Sequence, residues 1–219
     1  MKIIPAIFLQ AGKAVSLYKG SNDHKKVYSK SPKNYAAYFQ KEGAKILEIV
    51  DLDQKNRAKL VELRSVFHGK IWWGGGVKTI AEIESLFNDG ADVVILGTSA
   101  EKIHLEALQK FGNEKIFAGV KFRNDPEAPE KCTTLVEKGF TQIIVKDMEA
   151  DGALFHPNFD QVEKAAYFSK AKIYSSGGIS EIQDLEIMKV AKVEGVIIAR
   201  ALYENRLNLS ELIRRFEHD

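Results

Sequence analysis

The sequence contains a single cysteine, Cys132, so no disulfide can close within the chain. Such usage suits a reducing compartment, and the cytoplasm is the expected location. Long apolar runs are missing too. The opening stretch "IIPAIFL" is far too short to span a bilayer and lacks the cleavage pattern of a signal peptide. Charge of one sign is not in excess: the net charge is +2, so no basic field argues for nucleic acid and no acidic run argues for disorder. His24, His68, His104, His156 and His218 lie far apart, with no pair at metal-ligand spacing, and no Ser–His–Asp arrangement can be read. No metal or cofactor is therefore expected. No linker, low-complexity tract or break in composition divides the chain, so residues 1–219 are expected to form one domain.

What is present is a rhythm. Short β-branched runs recur at 2–8, 45–51, 70–73, 92–96, 116–120, 141–145, 171–175 and 195–199. Most are nearly continuous apolar stretches, the pattern of strands buried on both faces. Amphipathic segments lie between them. "TIAEIESLFNDG" places Ile80, Ile83 and Phe87 on one helical face before Gly90, while "NYAAYFQKEG" and "TTLVEKGF" stop at Gly43 and Gly139. Alternation throughout predicts a parallel sheet. Eight such units in about 220 residues fit a (β/α)₈ TIM barrel, with an open doubly wound sheet as the alternative. The long stretch 9–34, rich in Gly, Ser, Lys and Asn, reads equally as a functional or mobile loop and as a solvated hairpin. Cys132, in the segment leading into a helix, reads as inert packing. Trp72 and Trp73 must face opposite ways on their strand, and packing is expected of both.

An internal repeat organises the chain. Residues 74–100, "GGGVKTIAEIESLFNDGADVVILGTSA", align without a gap on 176–202, "SGGISEIQDLEIMKVAKVEGVIIARAL". Gly75 and Gly76 match Gly177 and Gly178, Ile80 matches Ile182, Val94 matches Val196, and Gly97 matches Ala199. Two similar half-barrels are implied. Glycines at strand ends let an anion approach unpaired main-chain N–H groups at the following helix N-terminus. The expected phosphate-binding residues are Gly75, Gly76, Gly97 and Thr98 on one side, and Gly177, Gly178, Ala199 and Arg200 on the other. Two such sites on one rim predict a phosphorylated small molecule with a phosphate at each end. The alternative is that the glycines serve only tight turns.

At these residues the chain resembles a known family. "IIPAI" with "GKAVSLYKG", "VDLD", the two glycine-rich repeats, "DMEADGAL" and "RALYENRL" are similar to the HisA/HisF histidine-biosynthesis barrels, and to the HisA branch most closely. The resemblance spans nearly the whole chain and fits least well around 101–140. It implies an aldose-to-ketose (Amadori) isomerisation of phosphoribosylformimino-AICAR phosphate by two aspartates, one ending strand 1 and one ending strand 5. Phe8 stands in the first position and Lys121 in the second. Lys146, Ser16, Ala11 and Trp72 replace four further polar or charged residues of the family pattern. Phenylalanine transfers no proton, so ordinary isomerase chemistry is not expected, although Asp51, Asp53, Asp147 and Asp151 lie at or beyond strand ends.

Three functions stay open. Asp51 and Asp147 are the best-placed carboxylates for an isomerase, against a role in orienting loops. Lys121 and Lys146, ending neighbouring strands, would suit a Schiff-base aldolase or lyase, since a lysine beside another cation has a depressed pKa; the alternative is that they hold an anionic ligand. A non-catalytic phosphate-binding or regulatory homologue is the third. Either a monomer or a homo-oligomer is compatible, and no motif demands a glutaminase-like partner.

Overall fold

The computed structural model describes residues 1–123 and 127–217, so His218 lies outside it. Ten strands build one sheet. β1 (Lys2–Gln10), β4 (Ile46–Asp51), β5 (Lys70–Gly74), β6 (Val93–Leu96), β7 (Ile116–Phe122), β8 (Gln142–Asp147), β9 (Lys172–Ser176) and β10 (Gly195–Ile198) run parallel in sequence order. β10 pairs back onto β1, with Ile3 opposite Val196 and Pro5 opposite Ile198, which closes the barrel. The expected (β/α)₈ barrel is therefore present, with strand limits within a few residues of those read from the sequence.

The helices α1 (Pro32–Lys41), α2 (Lys59–Arg64), α3 (Ile80–Asn88), α4 (His104–Phe111), α5 (Glu127–Glu137), α6 (Phe159–Ser169) and α7 (Ile182–Val190) cross between strands, and α8 (Arg200–Tyr203) and α9 (Leu209–Phe216) follow β10. The repeat is visible in their starts. α3 opens on Thr79 and α7 on Glu181, 102 positions apart as in the alignment, each in a capping box with the acidic residue three further on, Glu82 and Asp184.

Two apolar layers hold the fold. The outer one packs sheet against helices and includes Ile7, Leu47, Trp73, Val94, Val145 and Val196. The inner one fills the barrel with Ile4, Phe8, Trp72, Phe117, Ile144 and Tyr174, among others. Adjacent strand residues thus fall on opposite faces, and the two tryptophans separate as expected. Trp72 meets Phe117 and Tyr174 edge-on at 4.9 and 5.0 Å. Both tryptophans pack. Cys132 lies within α5 rather than ahead of it; it is buried, and burial pushes its thiol up to about 12.

The stretch 9–34 is a hairpin followed by the start of α1. β2 (Lys13–Tyr18) pairs antiparallel with the upper half of β1, Phe8 opposite Val15, beyond the point where β10 has ended. β3 (Ser21–Ser29) then pairs with β2 and is mostly exposed. The hairpin is tied to the rim. Lys19 N donates to Asp151 O (2.8 Å), and Lys19 Nζ pairs with Glu149 (3.1 Å). Glu204 accepts from Lys26 Nζ (2.8 Å), Arg200 Nε (3.0 Å) and the Tyr28 hydroxyl. Although burial pushes the Glu204 carboxyl up, these bonds prevail and hold it down to about 2.

Candidate functional site

The C-terminal ends of the parallel strands surround a cavity of about 300 Å³. A smaller alcove of about 40 Å³ adjoins it, and the two share Phe8, Leu17, Leu52, Asp151 and Ser176 as wall residues. Ligand sites of this fold lie on that rim. The expected residues divide between the two spaces. Gly75, Gly76, Gly97 and Thr98 line the larger; Gly177, Gly178, Ala199 and Arg200 line the smaller.

The two glycine turns have the same construction. Gly75 and Gly177 have φ of +97° and +90°. A Cβ at Gly75 would stand 2.2 Å from Asp51 O, and one at Gly177 would stand 2.5 Å from Asp147 O. Each glycine therefore rests on the backbone of the aspartate ending the preceding barrel strand, where no larger residue fits. The aspartate side chains match as well. Asp51 accepts from Asn56 N (2.9 Å) and Asn56 Nδ2 (2.6 Å). Asp147 accepts from Glu149 N (2.9 Å), Ala150 N (3.1 Å) and Asn158 N (2.9 Å). Both carboxylates are buried, and loop donors occupy them.

Lys121 and Lys146 sit opposite each other in the β7–β8 register, and both line the larger cavity. Their surroundings differ. Lys146 pairs with Asp151 at 3.0 Å and lies over the Phe8 ring, 4.1 Å from its centroid. Lys121 forms no ion pair among the described residues. Lys121 is exposed by surface area; partial desolvation of its ammonium still lowers the pKa, the Lys146 charge lowers it further, and Asp151 opposes both.

Glu48 was not read from the sequence as a site residue. It occupies the inward register of β4, between Ala6 of β1 and Trp72 of β5, and lines the larger cavity. It is 4% exposed, and its Oε2 has no hydrogen-bond partner among the described residues. Burial pushes its carboxyl up to about 7; the Lys146 charge pulls the other way and Asp151 adds to the rise. The signal was available in "KILEIVD", a charged residue on the barrel side of a strand that alternates Ile46, Glu48, Val50.

His156 lines neither cavity, although its backbone packs behind Gly178 of the smaller one. Its Nδ1 is 2.6 Å from Oδ1 of the buried Asp184, which raises the imidazole pKa. Asp184 Oδ2 is already taken by Ser180 and Glu181, so this contact belongs to the start of α7.

A closed parallel barrel of two matched halves, with a glycine turn from each half on one rim, defines a HisA-like (β/α)₈ barrel. The chain belongs to the family described as "Histidine biosynthesis protein", whose model matches residues 2–208. It is similar to the protein named 1-(5-phosphoribosyl)-5-((5-phosphoribosylamino)methylideneamino) imidazole-4-carboxamide isomerase in several bacteria. The identity is 33% in Bacillus cytotoxicus, covering 98% of each chain. In Lachnoclostridium phytofermentans it is 34%, covering 99% of this chain and all of the relative. Halothermothrix orenii has a relative at 33%, covering 97% of this chain and 98% of its own. Among the described residues, no helix is long and apolar enough to cross a membrane.

Proposed function

We propose that this barrel binds, across its mouth, a sugar derivative carrying a phosphate at each end, and isomerises it without the two aspartates of the family pattern. The observation that carries this reading is the pair of equivalent glycine turns bordering two spaces that share wall residues. The compound in the relatives' name bears two phosphoribosyl groups, one for each turn. Gly97–Thr98 and Ala199–Arg200 complete the two cradles, with backbone N–H groups and, at one end, a guanidinium.

The chemistry between the cradles has to be different. Phe8 has no proton to give, and its ring serves as a platform for the Lys146 ammonium. Asp51 and Asp147 are committed to loop N–H groups, which supports their loop-orienting role. A second reading keeps the same ligand class but forms a Schiff base on Lys121. The lowered pKa and absence of an ion pair at Lys121 favour that lysine over Lys146 for the role.

Binding is tested with the bis-phosphoribosyl compound of the relatives' name. At a hundredfold excess over Kd the stabilisation is about 2.7 kcal/mol. For a chain of this size that raises the melting temperature by roughly 5–10 °C. A compound with only one phosphoribosyl group should give a clearly smaller rise. Equal rises, or none, would remove the two-cradle reading.

A further inference from the structure

We infer that Glu48 is the proton-transferring group of this cavity, acting on the carbon next to a carbonyl or imine carbon of the bound sugar phosphate. The inference rests on the ligand class proposed above and adds the residue that performs the chemistry. Three features of Glu48 point to it. The side chain lies on the inner face of the barrel, below the rim and within the larger cavity's wall. Its Oε2 is buried and receives no hydrogen bond among the described residues, while the side chain as a whole lines the cavity. A buried carboxyl oxygen left unpartnered is costly, and such a group in a cavity wall is a candidate for a catalytic role. By contrast, the carboxylates of Asp51 and Asp147 are saturated, and Asp151 is paired with Lys146.

The charged and titratable groups facing Glu48 can be stated element by element. β8 and its loop bring Lys146 and Asp151, and β7 brings Lys121. Asp51 ends its own strand. From α8 comes Tyr203, whose hydroxyl donates to Ala6 O at 2.6 Å and whose burial pushes its pKa far up. The register neighbours Ala6 and Trp72 do not titrate.

The Glu48 carboxylate takes the proton from the carbon adjacent to the carbonyl or imine carbon. That C–H bond breaks, and its electron pair becomes the C=C bond of an enediol or enaminol. The carbonyl or imine π pair moves onto the heteroatom, which takes a proton from the Lys121 ammonium. Glu48 then returns its proton to the former carbonyl or imine carbon, while the neighbouring hydroxyl loses its proton to the Lys121 amine. Nothing is oxidised or reduced overall, and both residues end as they began.

The test uses the full chain and the bis-phosphoribosyl compound in deuterated water. Melting shifts report binding, and mass spectrometry reports deuterium gained at carbon together with product formed. Wild type should incorporate deuterium, with a rate rising through an inflection near pH 7. Glu48→Gln should bind equally well, lose roughly 10²–10⁴-fold in rate and lose that inflection. Glu48→Asp, keeping a carboxylate on a shorter stem, should recover part of the rate. Binding by wild type with no exchange overturns the role of Glu48 and leaves the cradle reading standing. No binding by wild type overturns both. Exchange that survives Glu48→Gln, or a loss of affinity in proportion to rate, also overturns it. If Glu48→Gln does not fold, a wild-type profile flat between pH 5 and 9 is sufficient refutation.

Discussion

Replacing Glu48 by glutamine should change stability in a way that depends on pH in one direction only. The carboxyl titrates at about 7 in the folded chain, against a reference value of 4.5. Below pH 4.5 it is neutral whether folded or unfolded, and the substitution exchanges one neutral buried group for another of the same shape. Between 4.5 and 7 the unfolded chain has released the proton while the folded chain still holds it, so wild-type stability falls as pH rises. Above pH 7 the folded chain carries the whole penalty of a buried charge. A separation of roughly 2.5 pKa units at 1.36 kcal/mol each is about 3 kcal/mol. Glutamine carries no such charge, so Glu48→Gln should be more stable than wild type by that amount at pH 8 and equal to it at pH 4. For a chain of this length the difference corresponds to a melting temperature higher by roughly 6–12 °C at pH 8. Scanning calorimetry of both proteins in ligand-free buffer at pH 4, 6 and 8 measures it. A gain of the same size at all three values would show that the effect is packing and not charge. No gain at pH 8 would show that Glu48 is solvated or partnered in solution, and would remove the basis of its assignment.

Two more predictions concern the cradle and the lysines. Gly97 is extended (φ −92°), and a Cβ there would meet no atom within 4 Å. Gly97→Asp should therefore fold normally. Its carboxylate opposing a phosphate at ~4 Å would cost about 4 kcal/mol, near a thousandfold in affinity by titration calorimetry; unchanged affinity would take phosphate away from that turn. Borohydride reduction with small keto phosphates should add mass at Lys121 in preference to Lys146 if the Schiff-base reading holds, and no adduct across a broad panel of aldehyde and ketone phosphates would end it.

The fold was legible because barrel strands buried on both faces are almost unbroken apolar runs, and several of the helices between them end at a glycine: Gly43 after α1, Gly90 after α3, Gly112 after α4 and Gly139 after α5. The hairpin was legible only as one of two equal readings, because β3 ("SNDHKKVYS") has no apolar alternation; pairing with β2 and the grip of Glu204 hold it in place. Both glycine turns were legible from the repeat alone, since φ above zero leaves a mark in composition. The carboxylates were harder. Asp51 and Asp147 attracted attention for lying at strand ends, yet their environment consists of loop N–H groups that only the folded chain brings together. The alternation in "KILEIVD" places Glu48 on the barrel side, but position along the chain does not reveal that its oxygen lacks a partner.

The half-barrel repeat carries a consequence for direction. Two identical cradles would accept a ligand with a phosphate at each end in either of two opposed poses, and half of all encounters would put the wrong carbon in front of the acid. The halves differ at many positions, and one difference falls on the proposed phosphate residues: where the first half has Gly97–Thr98, the second has Ala199–Arg200. Arg200 bonds Glu204 and the carbonyl of Gly152, so its guanidinium is fixed at the alcove end alone. On the reading proposed above, that difference would give a duplicated scaffold a polarity, so that a ligand with a phosphate at each end is held in one direction only.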